Sequence, residues 1–496
     1  QTQSTSITIM IQQSPFPDII IPKVPFNVYM LKHLTLFEKK VAFIDGESGR
    51  SYTFADVRRD VMKCTSELVR LGIQPGDVVA MCCSNCLEYP VITIAAASCS
   101  ALVTTCNPTY TEAEMTKQFS HSQPIAVFCD EENYLELTNV AKKVPSIKIN
   151  PTEDTFLLPY SSGTTGLPKG VMLTHYNMVS ITELCNFLST PNDIFYLVLP
   201  MFHIYGMMSV MKSLVKGTTM VISKRFTVES FFGLVERYKI TSLLAVPPMV
   251  LAMYNSPLNS KYDLSSLIRV FCGAAPLPLG VSVEVQKKLN VSLIQGWGLS
   301  EAVPLTASFG GAIPLASVGV ITANTLIKIV DLGSGKVLGP NEEGEICCKG
   351  PQVMKGYYKN PSATTQCIDY DGWFHTGDIG YYDEHGLLYV IDRLKELIKY
   401  KGFQVVAPAE LEAELLKHYV TDVAVIGVPD TEAGEVPKAF LVKSRASLTA
   451  DDIHSFLEVS KFKYLRGGVE FLSVIPKSAS GKILRRELRV KETLKL

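Results

Sequence analysis

Short apolar runs alternate with helix-like stretches through the first half of the chain, and this alternation restricts the fold more than any other feature. Thr53-Phe54-Ala55-Asp56 opens a predicted helix that runs towards Leu71 and ends at Gly72. A buried helix is predicted at 89–99, and apolar strands are predicted at 78–81, 195–199, 219–222, 242–246 and 270–272. Strands separated by helices predict a largely parallel sheet with helices on its faces, which binds ligands at the carboxyl ends of its strands.

The sequence changes character after Ile329. Short strands are predicted at 345–348 and 387–391, between turn-rich stretches, and the charged segment 392–396 follows them. A helix with Pro408 in its first turn and a strand at 423–428 come next. We therefore predict an α/β chain of two domains. A large N-terminal domain of layered, mostly parallel sheets (1–391) precedes a small, mobile α+β lid (392–496), with a hinge near 392–396.

Composition narrows the class of function. A chain of 496 residues is too long for a single hydrophobic core, so two or more domains are expected. The balance of 47 Lys+Arg against 48 Asp+Glu argues against nucleic-acid binding. No apolar run reaches the roughly 18 residues of a membrane span. Residues 1–12 lack the order of a secretory signal, although the true start can lie upstream of Gln1. These features favour small-molecule chemistry.

The 12 cysteines are scattered through apolar stretches, which is typical of a reducing compartment. Cys83 and Cys86 form a C-x-x-C without a second pair at zinc spacing, so we expect core thiols there rather than a redox or metal site. The ending Leu494-Lys495-Leu496 differs at one position from a peroxisomal S-K-L signal. We therefore expect a cytoplasmic or peroxisomal protein.

The most informative segment is 160–170, whose sequence is YSSGTTGLPKG. It combines three glycines, four serine and threonine hydroxyls and Lys169. Many short donors, little bulk and one cation suit a polyphosphate. The segment is not a Walker A loop, because the spacing from Gly163 to a Gly-Lys-Ser/Thr unit is absent. The alternative is a surface turn of the same composition.

This segment resembles the phosphate-binding signature of the adenylate-forming superfamily, which comprises acyl-CoA synthetases, beetle luciferases and peptide-synthetase adenylation domains. Four further segments are similar to the same family in the same order: QGWGLSE at 295–301, GWFHTGD at 372–378, DRLKELIKYKG at 392–402 and PKSASGK at 476–482. Segments 202–205 and 399–411 are most similar to the 4-coumarate–CoA ligase-like branch. The resemblance implies an ATP-dependent acid–CoA ligase that forms an acyl-adenylate and uses ATP, Mg²⁺ and coenzyme A.

The resemblance also implies a nucleotide site. Glu301 is expected to bind Mg²⁺, since carboxylate oxygen suits that ion. Asp378 and Arg393 are expected to hold the ribose, although a turn or N-cap role is the alternative for Asp378. The remaining implied contacts are Ser161, Ser162, Gly163, Thr164, Thr165 and Lys169 at the phosphates, Ser300 at the adenylate phosphate, and Ala274, Gln295, Gly296 and Trp297 at the adenine.

Two lysines are implied to serve the two half-reactions from opposite faces of the lid. Lys482 would bridge the carboxylate and the α-phosphate, and Lys399 with Gln404 would serve after the lid rotates about Lys395. A solvated lysine is the alternative in both cases. Coenzyme A would approach between the domains, its phosphates near Arg225, Lys401 and Gly402.

The implied acyl pocket has His203, Tyr205 and Ser209 on one side, and Gly273, Ala274, Val303 and Pro304 on the other. A satisfied core histidine is the alternative for His203. The chain departs from the family in three places. Trp297 replaces a tyrosine, Val303 replaces the glycine common in coumarate ligases, and segment 144–155 is short.

The expected substrate is an aromatic (4-coumarate-like) or a medium- to long-chain fatty acid. Two other readings remain open: a luciferase-type monooxygenase, and an adenylation enzyme that loads a carrier protein. A non-enzymatic binding protein would make the two lysines coincidental. The expected partners are the acid, ATP and coenzyme A, with no nucleic acid, and the expected state is a monomer or weak homodimer.

Overall fold

The computed structural model describes residues 10–130, 147–161, 169–185, 189–275, 277, 279–308, 313–400, 404–416, 420–456, 463–478 and 481–493. Its strands are β1 (Gln12–Gln13), β2 (Val41–Asp45), β3 (Ser51–Thr53), β4 (Val78–Cys82), β5 (Leu102–Thr105), β6 (Ala126–Cys129), β7 (Thr155–Ser161), β8 (Lys169–Thr174), β9 (Ile194–Leu197), β10 (Thr219–Ile222), β11 (Ser242–Ala245), β12 (Arg269–Cys272), β13 (Ser292–Leu299), β14 (Ala302–Ala307), β15 (Val320–Ile321), β16 (Leu326–Val330), β17 (Gly344–Lys349), β18 (Gly356–Tyr357), β19 (Phe374–Tyr382), β20 (Leu388–Arg393), β21 (Ile398–Tyr400), β22 (Gln404–Val406), β23 (Val420–Asp430), β24 (Gly434–Lys443) and β25 (Val469–Phe471).

The α-helices are α1 (Phe26–Leu34), α2 (Phe54–Arg70), α3 (Glu88–Ser98), α4 (Glu112–Ser122), α5 (His175–Leu184), α6 (Ile204–Lys216), α7 (Val228–Tyr238), α8 (Pro247–Asn255), α9 (Leu279–Leu289), α10 (Pro361–Cys367), α11 (Pro408–Leu415), α12 (Ala450–Phe456) and α13 (Arg485–Thr493). Short 3-10 helices occupy Thr35–Phe37 and Pro257–Ser260. Within the described ranges, no helix has both the length and the apolar character that crossing a membrane requires.

Local sequence signals explain where the elements begin. The predicted helix at 54–71 is α2, and a reciprocal cap starts it. The Thr53 hydroxyl accepts from the Asp56 amide at 3.1 Å, and the Asp56 carboxylate accepts from the Thr53 amide at 2.9 Å. Such a cap stabilises a helix by about 1 kcal/mol. Pro408 stands at the first turn of α11, as predicted.

Two of the three N-terminal sheets are mostly parallel, as the alternation predicted. The nine-stranded sheet runs β15-β14-β13-β12-β11-β9-β10-β2-β3, with parallel pairing from β13 through to β2. The six-stranded sheet runs β18-β8-β7-β5-β4-β6, and four of its strands pair in parallel. The carboxyl ends of β12 and β13 lead into the predicted ligand segments.

The third N-terminal sheet, β1-β16-β17-β19-β20, is antiparallel throughout. Its last two strands are joined by a tight turn in which Asp383 accepts hydrogen bonds from the amides of His385 and Leu387, both at 2.9 Å. So short a connection permits only an antiparallel pair. The sequence alone did not distinguish this sheet from the parallel ones.

Apolar packing separates the two ends of the chain. One core takes in buried residues from Ile21 to Leu388, and a second cluster takes in residues from Ile398 to Leu465. The C-terminal sheet runs β22-β21-β24-β23, with β25 beside β24. Asp392, at the end of β20, accepts a hydrogen bond from the amide of Ala409 in α11 at 3.0 Å. The boundary at 392 and the hinge stay predictions.

The C-x-x-C thiols are packed into the first core region. The Cys83 thiol donates to the carbonyl of Phe128 at 3.1 Å. Burial raises the pKa of Cys83, and it raises the pKa of Cys86 to about 11. Thiols held in their neutral form are poor nucleophiles and metal ligands, which agrees with a packing role.

Candidate active site

Asp378 lies in the middle of β19, directly opposite Arg393 of β20. The indole N–H of Trp297 donates to its Oδ2 at 2.9 Å. Its Oδ1 makes no hydrogen bond to a described residue and lies 3.2 Å from Nε of Arg393. Burial raises the pKa of Asp378, against the opposing effects of Arg393 and Trp297. The turn or N-cap alternative for Asp378 is wrong, because the residue is part of a continuous nine-residue strand.

The predicted adenine residues follow the carboxyl end of β12 and occupy β13. Cys272 of β12 pairs with Gln295, whose amide donates to the carbonyl of Leu315. A methyl group on Gly296 would lie 3.2 Å from the carbonyl oxygen of Thr306, so the backbones approach closely there. Ala274 has φ +70°, a left-handed conformation that costs a non-glycine residue roughly 1–2 kcal/mol. Such strain is common at ligand sites.

Glu301 is buried and gathers three other groups around it. Its Oε1 accepts from the Ser161 hydroxyl at 2.7 Å and from the Tyr357 hydroxyl at 3.0 Å. The ammonium of Lys169 lies 4.8 Å from the centre of the Tyr357 ring. The structure therefore joins both described ends of the phosphate segment to the predicted metal ligand. Residues 162–168, which include the predicted contacts Ser162, Gly163, Thr164 and Thr165, lie outside the described residues.

Tyr357 was absent from the sequence prediction. It lies on β18, which pairs with β8 directly after Lys169. Burial, followed by the charge of Glu301, raises the pKa of Tyr357, so the phenol stays a donor at neutral pH. Because 188 residues separate Tyr357 from Lys169 along the chain, no local motif marked the contact.

Lys482 reaches the N-terminal site from the C-terminal loop. Burial and the nearby cation Arg393 lower the pKa of Lys482 to about 8, while Glu301 and Asp378 act in the opposite direction. A methyl group on the preceding Gly481 would lie 3.0 Å from Cγ2 of Val246. The loop is thus seated against the start of α8, and Lys482 is half-buried there rather than freely solvated.

His203 is the N-cap of α6 and faces Lys482. Its Nδ1 accepts from the amide of Tyr205 at 3.3 Å, which places the proton of the neutral ring on Nε2. Burial and then the charge of Lys482 lower the pKa of His203 to about 3. The imidazole is therefore uncharged at neutral pH and presents one donor.

The acyl-side residues cluster around α6. The Tyr205 hydroxyl donates to the carbonyl of Phe271 at 3.2 Å, and the Ser209 hydroxyl donates to the carbonyl of Tyr205 at 2.7 Å. A methyl group on Gly273 would lie 3.4 Å from the Tyr205 ring. Val303 and Pro304 belong to the buried strand β14, where Val303 packs against Gly298, and Ser300 lies in the turn between β13 and β14.

Among the described residues predicted for the second half-reaction, Lys395 lies near the cluster, since burial and the charges of Arg393 and Lys169 lower its pKa, whereas no contact joins Lys399 or Arg225 to it. Lys399 is exposed on β21, and its amide donates to Glu435 at 2.9 Å. Arg225 is exposed after β10, and Lys395 is exposed between β20 and β21. Lys401, Gly402 and the side chain of Gln404 lie outside the described residues.

A second supporting contact was also missed. One oxygen of Glu345 accepts from the amide of Gly377 at 3.1 Å, next to Asp378, and the other lies 2.8 Å from Nδ1 of His375. The same nitrogen lies 3.4 Å from the thiol of Cys347. Strand alternation places Glu345 and Cys347 on the same face of β17, and this pattern could have suggested that they act together. The pairing of β17 with β19, which brings His375 to them, could not be predicted from the sequence.

Sequence comparisons place the chain among proteins of related architecture. A family profile described as AMP-binding enzyme matches residues 32–358, and one described as AMP-binding enzyme C-terminal domain matches residues 410–482. The chain is 40 % identical to 4-coumarate--CoA ligase 1 of Solanum tuberosum, over 97 % of this chain and 96 % of the relative. It is also 40 % identical to 4-coumarate--CoA ligase 1 of Arabidopsis thaliana, over 97 % and 95 % of the two chains.

Comparison with solved structures gives the same family as the sequence comparisons. The ATP-bound RpMatB-BxBclM chimera B3 superposes with a TM-score of 0.88 at 26 % identity, covering 95 % of this chain and 99 % of that one. The o-succinylbenzoate CoA synthetase of Bacillus subtilis, in complex with its acyl-adenylate intermediate, gives 0.81 at 28 % identity, covering 93 % and 97 %. The chain therefore belongs to the AMP-binding, adenylate-forming enzyme family and, within it, to the 4-coumarate–CoA ligase-like acid–thiol ligases.

Proposed function

We propose that this ligase joins an aromatic acid to coenzyme A through an acyl-adenylate, with Lys482 serving the first half-reaction and Lys399 the second. The observation that carries the proposal is the position of Lys482, whose loop packs on Val246 and brings the ammonium near Arg393, Glu301 and Asp378. A cation held between those groups is suited to the charge that develops when a carboxylate attacks a phosphate.

The nucleotide would be held by side chains that have the hydrogen-bond donors, acceptors and charges that it requires. Asp378 Oδ1 lacks a hydrogen bond to a described residue and can accept one from a ribose hydroxyl, with Arg393 beside it. Lys169 and the Ser161 hydroxyl would meet the phosphates. Gln295 and Gly296 would line the adenine, and Trp297 would offer a flat face.

Glu301 fits the expected Mg²⁺ ligand. Both hydrogen bonds that it accepts from Ser161 and Tyr357 go to Oε1, so Oε2 is left for an ion. Magnesium prefers oxygen ligands and commonly takes one carboxylate together with the phosphates of a nucleotide. When bound, the ion would neutralise charge on the phosphates. Glu301 itself would orient Ser161 and Tyr357 around that position.

In the first half-reaction a carboxylate oxygen attacks the α-phosphorus of ATP. The new O–P bond forms as the bond to the bridging β-phosphate oxygen breaks, and pyrophosphate leaves. Lys482 would hold the carboxylate and the α-phosphate together, offsetting their mutual repulsion. Neutral His203 would donate from Nε2 to the substrate side without adding charge.

In the second half-reaction the thiol of coenzyme A attacks the acyl carbonyl, loses its proton, and AMP leaves. Exposed Lys399 has no role at the cluster around Lys482, so we propose that residues 392–496 rotate as a lid about the segment near Lys395. Rotation would bring Lys399 and Gln404 to the adenylate. Arg225, Lys401 and Gly402 would then face the phosphates of coenzyme A.

The proposed substrate class rests on two observations. Relatives at 40 % identity are named 4-coumarate–CoA ligases. The walls formed by Tyr205, Gly273 and Phe271 are flat or small, which suits an aromatic ring. We place the acid between these walls, with its carboxylate towards His203 and Lys482.

Pyrophosphate release and thioester formation should be measured from ATP and Mg²⁺ with cinnamates, fatty acids of medium and long chain, and luciferin, each with and without coenzyme A. We expect release to depend on a cinnamate-type acid and to become steady acyl-CoA turnover when coenzyme A is added. Light emission with luciferin, or release that never yields a thioester, would instead favour a luciferase-type or carrier-loading enzyme.

The Mg²⁺ assignment has its own test. Glu301→Gln keeps an acceptor for Ser161 and Tyr357 but removes the charge. The Mg²⁺ concentration at half-maximal pyrophosphate release should rise by about tenfold or more, since changes even to the groups that support metal ligands typically cost about 10–100-fold in metal affinity. Glu343→Gln, at an exposed position, serves as the control. An unchanged Mg²⁺ requirement in Glu301→Gln would reject the assignment.

A further inference from the structure

Helix α6 carries a stripe of partly accessible residues although the rest of the helix is buried. Tyr205, Met208, Lys212 and Lys216 are the four positions of Ile204–Lys216 that are not buried. Their spacings of three and four residues place them on one face of the helix. The accessible positions of this mostly buried helix therefore form a single stripe.

The stripe faces the nine-stranded sheet. The Tyr205 hydroxyl reaches the carbonyl of Phe271 at 3.2 Å, and the Lys212 ammonium lies 5.8 Å from the ring centre of the same Phe271 and 5.5 Å from that of Phe195. Phe195 and Phe271 are neighbours, with ring centres 5.9 Å apart. The predicted acyl site at Tyr205 and the Lys212 ammonium are therefore connected along one aromatic wall.

A small cavity lies at the Lys212 end of this wall. Its volume is about 20 Å³, enough for a group of the size of one water molecule or one carboxylate oxygen. Ser209, which the sequence assigns to the acyl pocket, lines it together with Lys212. The full lining is Phe195, Ser209, Lys212, Ser213, Thr218, Met220 and Leu244.

The Lys212 ammonium has no matching anion in the described part of the chain. No hydrogen bond or ion pair links it to a described residue. The rings of Phe195 and Phe271 lie close to it, and the Cys185 thiol and the Asp193 carboxylate also act on its pKa. Asp193, whose charge reaches it, is already engaged by Arg269 and by the amide of Thr190 at 2.7 Å. Burial lowers the pKa of Lys212 to about 8, so the group is still mostly cationic at neutral pH. A desolvated cation without a counter-ion is costly and is typical of a binding function.

The distance from Tyr205 to Lys212 suits a short, rigid acid. Seven residues of helix correspond to about 10 Å, and a lysine side chain in a helix leans back towards the N-terminus. The ammonium thus points along the wall towards Ser209 and Tyr205. An acid whose carboxylate reacts near His203 would place its far end here.

We propose that Lys212 binds a second carboxylate, carried by the substrate at the end remote from the reacting one. The inference rests on the proposed ligase function and narrows its substrate class to aromatic acids with a distal anionic group. Phe271 would lie along one side of the substrate ring, and Lys212 would supply the counter-charge for the distal carboxylate.

The test uses three substrates: cinnamate, 4-carboxycinnamate, and 4-(methoxycarbonyl)cinnamate, in which the distal carboxylate is masked as a methyl ester. Each is assayed with the wild type, Lys212→Met and Lys216→Met. Lys216→Met is the matched control, one turn further along the same face. We expect the wild type to prefer 4-carboxycinnamate over the ester by at least about tenfold in kcat/KM, as for other buried charge pairs. Lys212→Met should lose that preference and keep its rate with cinnamate within about threefold, and Lys216→Met should retain the preference.

A stability measurement gives a readout independent of activity. Removing a half-buried cation that has no ionic partner among the described residues should leave the urea midpoint of Lys212→Met unchanged or move it to higher denaturant. A lower midpoint would mean that Lys212 has a structural partner, and it would overturn the inference. Turnover of cinnamate without any preference for the distal carboxylate would also overturn it, while leaving the ligase function intact. If no acid is activated by the wild type, the proposed function fails and the inference fails with it.

Discussion

The indole N–H of Trp297 donates a hydrogen bond of 2.9 Å to Oδ2 of Asp378. The family resemblance implied a tyrosine at this position, and the tryptophan puts a donor on the carboxylate that we assign to the ribose. Oδ2 is thereby satisfied, and Oδ1 keeps the acceptor position that we propose for the ribose. The substitution is a change of hydrogen-bond partner as well as of ring shape.

Trp297→Phe should destabilise the protein and disturb nucleotide binding. The variant keeps a flat face but leaves a buried carboxylate oxygen unsatisfied, which costs about 1–3 kcal/mol in the free energy of unfolding. Losing the donor also raises the pKa of Asp378 further, since the Trp297 hydrogen bond lowers it. The acid limb of kcat/KM for ATP should therefore move to higher pH.

Trp373→Phe is the matched control, because Trp373 is the other tryptophan of the chain and is buried under Lys328 away from Asp378. It should leave the acid limb where it is. An acid limb that is identical in the wild type and Trp297→Phe would show that the indole contact does not act on Asp378.

The pH dependence of adenylate formation should report Lys482. Its pKa of about 8 means that the cation is present below that pH and is lost as pH rises through it. The kcat/KM for pyrophosphate release should fall about tenfold per pH unit above this point. Lys482→Arg keeps a charge at all these pH values, so its alkaline limb should vanish even if its rate is lower. An alkaline limb with the same midpoint in Lys482→Arg would assign the titration to another group.

Gly206 holds the acyl-side segment close to the preceding turn. A methyl group at this position would lie 2.2 Å from the carbonyl oxygen of Pro200. Gly206→Ala should lower the free energy of unfolding by about 1–3 kcal/mol and raise the KM for the acid, because His203 and Tyr205 are on the displaced segment.

Gly280→Ala offers the contrasting control. Nothing lies within 4 Å of a methyl group at Gly280, which is in helix α9. Alanine there should stabilise the protein by about 0.5–1 kcal/mol. Urea unfolding of both variants measures these changes in the free energy of unfolding. If Gly206→Ala and Gly280→Ala change it equally, the backbone at Gly206 can move away from Pro200.

His375 should make part of the stability pH-dependent. Its contacts with Cys347 and then Glu345 raise its pKa to about 10. A histidine with a raised pKa in the folded state contributes stability that is fully present below about 6.5 and is lost as pH rises through about 10. The difference in unfolding free energy between the wild type and His375→Asn should thus be larger at pH 6 than near pH 10. A difference that stays constant with pH would contradict the assignment.

Several residues of the candidate site could be picked out from the sequence because they lie in contiguous motifs. Asp378, Trp297 and Glu301 each stand in a short motif, and in the structure Trp297 of β13 contacts Asp378 of β19, while Glu301 follows β13. The helix at Thr53 and Asp56 was likewise readable, since its cap is local. Local patterns report local structure well.

The supporting contacts could not be predicted, because strand pairing between distant segments creates them. Tyr357 reaches Glu301 through the pairing of β18 with β8, and Glu345 reaches Gly377 through that of β17 with β19. Lys212 was not among the residues predicted from the sequence. Its significance comes from the aromatic side chains of β9 and β12 that pack above it.

The most direct test of the account is a single-turnover comparison of Lys482→Ala and Lys399→Ala in each half-reaction. Lys482→Ala should lose adenylate formation, by about a hundredfold or more, yet convert supplied acyl-adenylate and coenzyme A to thioester near the wild-type rate. Lys399→Ala should form adenylate normally and fail in the thioester step. Equal loss of both steps in either variant would contradict the assignment of the two lysines to two positions of one rotating lid.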